Sequence, residues 1–217
     1  MIPIANPIIE EKEKNSVLEV MDSGMLASGK YVKEFEDKFA SYIGVDYANA
    51  TTSGTTGLHV ALRAAGIEEG DKVLTTPFTF IASSNSILYC GAEPVFADVK
   101  EDTFNLDPAS MRQKLEENPD IKAVVIVHLY GLSCDMDPIM DLVNEYDLAL
   151  IEDAAQAHGA EYKGRKAGSF GEAAVYSFYP TKNMTTGEGG IVVSNNQKVA
   201  EQSKLLINHG APERYSH

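Results

Sequence analysis

The sequence predicts an α/β fold, a mostly parallel sheet held between two layers of helices. Three observations carry that expectation. Short β-rich runs of four to six residues alternate with helical patterns along most of the chain, the mark of successive βαβ units. Several of those runs are apolar at every position instead of every second one, as strands covered on both faces require. Glycine and proline are scattered singly, with no repeat, low-complexity tract or linker, so the 217 residues read as one continuous domain.

The elements follow in order. A helix is predicted at Tyr31 to Tyr42. Behind Ser53-Gly54-Thr55-Thr56, Leu58, Leu62 and Ala65 recur at i, i+4 and i+7, which places that polar tetrad at a helix N-terminus. Strands are predicted at Val73 to Thr76 and Val95 to Asp98, and Phe78 and Phe80 alternate as a further strand would. Asp107 followed by Pro108 is an N-cap with proline at the first helical position, opening a helix through Leu115. Four more strands are read at Ala123 to His128, Leu148 to Glu152, Ala173 to Phe178 and Gly190 to Ser194. A final helix, Gln197 to Ile207, stops at Asn208-His209-Gly210.

Composition narrows the function classes. Hydrophobic residues make up 44% and charged residues 23%, which excludes disordered, collagen-like and disulfide-scaffold chains. Eighteen Lys and Arg against 32 Asp and Glu leave a net charge of −14, which argues against nucleic acid or an anionic membrane as the main partner. A bound phosphate must then be held by local geometry. Cys90 and Cys134 lie far apart, without zinc-site or disulfide spacing, and read as buried, inert thiols; no metal is expected. The acidic N-terminus lacks the basic, apolar pattern of a signal peptide, and runs such as Ala123 to Val127 are far too short to span a membrane. The expected compartment is the reducing cytoplasm.

In an open α/β sheet, ligands collect outside the carboxyl ends of the strands. Ser53-Gly54-Thr55-Thr56 places hydroxyls and backbone N–H groups at a positive helix end, which can hold a phosphate; simple capping is the alternative. Asp153 ends an apolar strand, where a carboxylate is costly unless it meets a cation or donors, which makes it a functional candidate; helix capping by the aspartate is the alternative. Lys182 follows in a Ser/Thr/Gly-rich loop, where a lone lysine is ordinarily solvated surface. Taken together, helix-start phosphate site, strand-end Asp and downstream Lys are what a pyridoxal phosphate site needs.

With these residues in view, the chain resembles the DegT/DnrJ/EryC1/StrS sugar aminotransferases of the fold type I aspartate aminotransferase superfamily. The resemblance runs from Ser23-Gly24-Met25-Leu26-Ala27-Ser28-Gly29 to Asn208-His209-Gly210. Its most specific blocks are Ser53-Gly54-Thr55, Pro77-Phe78-Thr79-Phe80, His128-Leu129-Tyr130-Gly131, Glu152-Asp153-Ala154-Ala155-Gln156 and Ser177-Phe178-Tyr179-Pro180-Thr181-Lys182. It implies that residues 1–217 hold an N-terminal segment and a three-layer α/β/α large domain binding pyridoxal 5'-phosphate, with a C-terminal small domain beyond His217. It also implies roles. Lys182 is the Schiff-base lysine and Asp153 the partner of the pyridinium nitrogen. Phe80 is the aromatic stacked on the ring, for which a core aromatic is the alternative. Gln156 lies near the phenolic oxygen, for which a solvated helix position is the alternative, and Ser177, Gly54 and Thr55 with the N–H of Thr56 form the phosphate cradle. His128 and His158 read as structural.

The implied reaction is a two-stage amino transfer from glutamate or glutamine to a nucleotide-linked keto-sugar, in a homodimer with shared active sites. Three other readings remain beside it. A sugar dehydratase of the same fold is disfavoured because those relatives carry histidine in place of Lys182. A catalytically silent regulatory or sensor member is disfavoured by the full set of cofactor residues. A Rossmann oxidoreductase is disfavoured because no GxGxxG follows the first strands.

Overall fold

The computed structural model describes residue 3 and residues 5–211. Its strands are β1 (Tyr47–Thr51), β2 (Lys72–Thr75), β3 (Glu93–Phe96), β4 (Ile121–Val127), β5 (Ala149–Asp153), a small hairpin of β6 (Glu161–Tyr162) and β7 (Arg165–Lys166), β8 (Ala173–Ser177) and β9 (Gly190–Ser194). Seven of them form one sheet in the order β1-β9-β8-β5-β4-β2-β3. Every pairing is parallel except those of β9, which runs antiparallel to both β1 and β8.

Helices cover both faces. They are α1 (Glu11–Ser23), α2 (Lys30–Ile43), α3 (Gly54–Ala64), α4 (Ala82–Tyr89), α5 (Pro108–Glu117), α6 (Met136–Glu145) and α7 (Gln197–Ile207). Strand parity sorts the core into layers. Ala123 and Val125 of β4 and Val175 of β8 pack under Leu58 and Leu62 of α3, Ile87 of α4 and Val199 of α7. Their neighbours Val124 and Ile126 turn to the other face, against Met111 of α5 and Ile139 of α6. On that second face Ala174 and Tyr176 of β8 meet Phe39 and Ile43 of α2. The result is the three-layer α/β/α arrangement. Helix α1 buries none of its residues.

Local signals account for the helix ends. Ser53 caps α3 by accepting the Thr56 N–H, Asp107 caps α5 through Ala109 N–H, and Asn196 caps α7. Helix α3 lies unusually close to β8 because Gly54 and Gly57 face it: a Cβ at 57 would sit 2.7 Å from Val175 Cγ1. Cys90 and Cys134 are buried free thiols. Among the described residues no helix is long and apolar enough to cross a membrane, and no group of three or more His, Cys, Asp or Glu could hold a metal ion.

The structure departs from the sequence reading at identifiable places. The expected strands shift by one or two residues at their ends, whereas Gly190–Ser194 and the helix Gln197–Ile207 match. Phe78 and Phe80 lie in an irregular connection between β2 and α4, not in a strand, and Phe80 is 67% exposed, which removes the core-aromatic alternative. Strand β1, helices α1, α4 and α6, and the β6–β7 hairpin were not anticipated.

Candidate active site

The parallel strands β2, β4, β5 and β8 all end at one edge of the sheet, and the reversed β9 begins there. Thr51 at the end of β1 pairs with Gly190 at the start of β9, so the N-terminus of α3 opens at that same edge. Parity then selects side chains: Asp153 shares a face with Ile151, and Ser177 with Val175, the face covered by α3 and α4. Glu152, one residue earlier, points to the opposite side.

Asp153 is 5% exposed. Its Oδ2 accepts from the Ser83 hydroxyl at 2.7 Å and its Oδ1 from the Ala155 N–H at 3.1 Å. Burial pushes its pKa up from the ordinary aspartate value, against the pull of those two bonds and of the Lys182 charge. A carboxylate in this position is stabilised by a cation placed on its remaining lone pairs.

Beside it, the start of α3 and the end of β8 come together with free donors, a set that could hold an anion. A Cβ at Gly54 would sit 2.9 Å from Ser177 Cβ, so only glycine lets the two backbones close up. Among the described residues no protein acceptor takes the N–H of Gly54 or Thr55. Thr56 is different. Its N–H donates to Ser53 Oγ at 3.1 Å and its hydroxyl to the Ser53 carbonyl at 2.9 Å. The free donors are thus Gly54 and Thr55 N–H and the Ser177 hydroxyl; Thr56 serves the cap, where the sequence reading placed its N–H in the cradle.

Lys182 leaves β8 in the turn Tyr179 to Lys182, closed by Lys182 N–H to the Tyr179 carbonyl at 2.9 Å. The loop is rooted by Phe178, 1% exposed, whose ring meets Phe35 and Phe39 edge-on at 5.2 and 5.5 Å. Among the described residues the Lys182 side chain makes no hydrogen bond or ion pair. Gln156 accepts the Tyr130 N–H at 2.8 Å, and this tie brings the His128-Leu129-Tyr130-Gly131 and Asp153–Gln156 segments together. Tyr130 takes φ 54 in that 3-10 turn.

The two histidines sit behind these groups. His128 Nδ1 accepts the Cys134 N–H at 3.1 Å, so its Nε2 carries the proton, 2.9 Å from Glu152. Fully buried Glu152 also accepts three backbone N–H groups, from Gly168, Phe170 and Gly171. His158 packs between Tyr176 and Phe178, and burial pushes its pKa down to about 4. Neither imidazole is presented to solvent at the sheet edge as a proton carrier. Sequence reasoning missed Ser83 and Glu152. No motif marks a serine inside Ser83-Ser84-Asn85-Ser86, but the polar Glu152 inside an otherwise apolar strand was a visible signal of a buried network.

These residues fit pyridoxal phosphate. Free N–H and hydroxyl donors meet the phosphate's needs, a desolvated carboxylate suits a protonated ring nitrogen, the exposed Phe80 ring offers a stacking face, and Lys182 is an unengaged amine.

Comparison with known proteins points the same way. The model of the DegT/DnrJ/EryC1/StrS aminotransferase family matches residues 7–217. GDP-perosamine synthase of Caulobacter vibrioides is 46% identical over 210 residues, covering 96% of this chain and 56% of the relative. S. venezuelae DesV, solved with a ketimine intermediate, is 40% identical with a TM-score of 0.89, covering 94% of this chain and 55% of that one. Helicobacter pylori PseC, an aminotransferase of pseudoaminic acid biosynthesis, is 32% identical with a TM-score of 0.92, covering 99% and 58%. The chain spans a little over half the length of these relatives.

Proposed function

The chain belongs to the DegT/DnrJ/EryC1/StrS aminotransferase family, and on that premise we propose that it is the cofactor-binding part of a pyridoxal phosphate-dependent enzyme that moves an amino group from glutamate or glutamine to a nucleotide-linked keto-sugar. The observation that carries the reading is Asp153: a buried strand-end carboxylate at the same sheet edge as the Gly54–Ser177 cradle and in electrostatic reach of Lys182. When bound, the cofactor supplies an electron-accepting ring for the carbanion formed at the substrate Cα.

The protein's own groups do the rest. Lys182 would hold the cofactor covalently at its aldehyde carbon and, as a freed amine, would carry the proton that leaves the substrate Cα. Asp153 would hold a proton on the ring nitrogen, because a buried carboxylate with only two hydrogen-bond donors is further stabilised by a cation. Gly54 and Thr55 N–H and Ser177 would hold the phosphate, Phe80 would cover the ring, and Gln156 would serve the phenolic oxygen. Thr56 supports this from behind by fixing the first turn of α3. We further propose that the enzyme works as a cytoplasmic homodimer with shared sites.

The test is a panel of nucleotide-linked keto-sugars with amino-labelled glutamate and the full-length protein. Label should appear in one amino-sugar product and vanish in Lys182→Ala. Failure to label any of them, by a protein that binds the cofactor, would contradict the aminotransferase reading.

A further inference from the structure

We propose that Ser83 is a positioning residue that sets the site's grip on the cofactor's ring nitrogen, acting through Asp153. This deepens the cofactor reading above and rests on it. Ser83 lies in α4 and is completely buried. Its hydroxyl is 2.7 Å from Asp153 Oδ2, 3.0 Å from Thr79 Oγ1 and 3.3 Å from the Phe80 carbonyl.

A hydroxyl has one proton to give and two lone pairs to receive with. When Asp153 is ionised, the Ser83 proton goes to the carboxylate and the Thr79 hydroxyl donates to Ser83 in turn. The chain Thr79 to Ser83 to Asp153 is then polarised towards the negative charge, as a relay of hydrogen bonds in a dry interior will be. When Asp153 is protonated, the direction reverses, and the Ser83 proton has the Phe80 carbonyl as its alternative acceptor. Ser83 therefore responds to the state of the carboxylate.

Geometry gives the same hydroxyl a second effect. With Ser83 on one oxygen and the Ala155 N–H on the other, the carboxylate plane is fixed from both ends, and one lone pair per oxygen is left for a ring N–H. Ser83 also touches the segment that carries Phe80. One buried hydroxyl thus links the carboxylate that would meet the ring nitrogen to the loop that carries Phe80. Removing it leaves the phosphate cradle untouched, so the loss falls on the ring nitrogen.

The test compares binding of pyridoxal phosphate with that of its 1-deaza analogue, which has C–H in place of the ring nitrogen, to full-length wild-type protein, Ser83→Ala and Thr79→Val. Ser83→Ala should weaken pyridoxal phosphate about tenfold, the scale of a lost hydrogen bond to a charged group, and the analogue less than about threefold. Thr79→Val should narrow the same preference by a smaller factor, and it serves alone if Ser83→Ala does not fold. Equal weakening of both compounds, the signature of a merely structural serine, would overturn the proposal, as would an unchanged preference in both variants. A wild-type protein that binds neither compound would instead overturn the cofactor reading itself.

Discussion

Asp153 and His158 are opposite cases of one physical effect, and each makes a prediction with a definite sign. Burial raises the Asp153 pKa above its ordinary 3.8, so at pH values between that and the native value the folded cofactor-free protein retains a proton that the unfolded chain has released. Its cost to stability is absent below that ordinary value, grows as pH rises through the native value and is full above it. Asp153→Asn should therefore raise the Tm of the cofactor-free protein at pH 7, with the gain fading towards pH 3, while lowering kcat by about 100-fold or more, as removal of a preorganised electrostatic group does. For His158 the native value is about 4 against an ordinary 6.5. Stability is then full above 6.5 and is lost as pH falls towards 4, and His158→Phe, matched to its ring neighbours, should flatten that part of a stability-versus-pH curve. At this scale the sequence was informative wherever chemistry is unusual for its setting, as with a strand-end aspartate or a lysine in a Ser/Thr loop. It was silent on Ser83, because a serine that hydrogen-bonds 70 residues away has no local pattern to betray it.

Helix α3 is the element on which the site depends, and its closeness to β8 comes from two glycines. Gly57→Ala would place a Cβ 2.7 Å from Val175 Cγ1 and 3.2 Å from Thr51 Oγ1, and overpacking of this kind should cost about 1–3 kcal/mol in denaturant unfolding. Gly54→Ala, with its Cβ 2.9 Å from Ser177 Cβ, should in addition weaken pyridoxal phosphate and inorganic phosphate alike, whereas Gly57→Ala leaves phosphate binding near that of wild type. Equal phosphate affinity in all three proteins would remove the cradle from this helix end. The elements legible in advance were those with strong periodicity or caps: the all-apolar strands, the Asp107-Pro108 start and the helix behind Ser53. Those missed lacked such signals. Strand β1 is Tyr-Ala-Asn-Ala-Thr and gains its strand character from pairing with β9. Helix α4 is Ser-rich with little amphipathic pattern, α6 carries Pro138 in its first turn, and α1 buries no side chain.

At the scale of the whole molecule, a chain of net charge −14 is asked to hold a phosphate with backbone N–H groups and a hydroxyl. Long-range repulsion opposes that binding, and salt screens it. Affinity for pyridoxal phosphate should therefore hold or rise as salt is increased to roughly 0.5 M; a steep fall would mean that Lys or Arg side chains carry the phosphate. Sheet order and parity bring Asp153, the start of α3 and the segment from Ser177 to Lys182 to one edge from three separate stretches of sequence. Which face each strand residue would take, and that Thr56 would serve the cap, needed the register of the sheet and the capping hydrogen bonds to be seen. The most direct test of this assembly is borohydride reduction of the full-length protein loaded with pyridoxal phosphate, followed by peptide mapping. The account predicts one reduced cofactor adduct, on Lys182, together with loss of the visible absorption band in Lys182→Ala. An adduct on another lysine, or a band that survives that substitution, would contradict it.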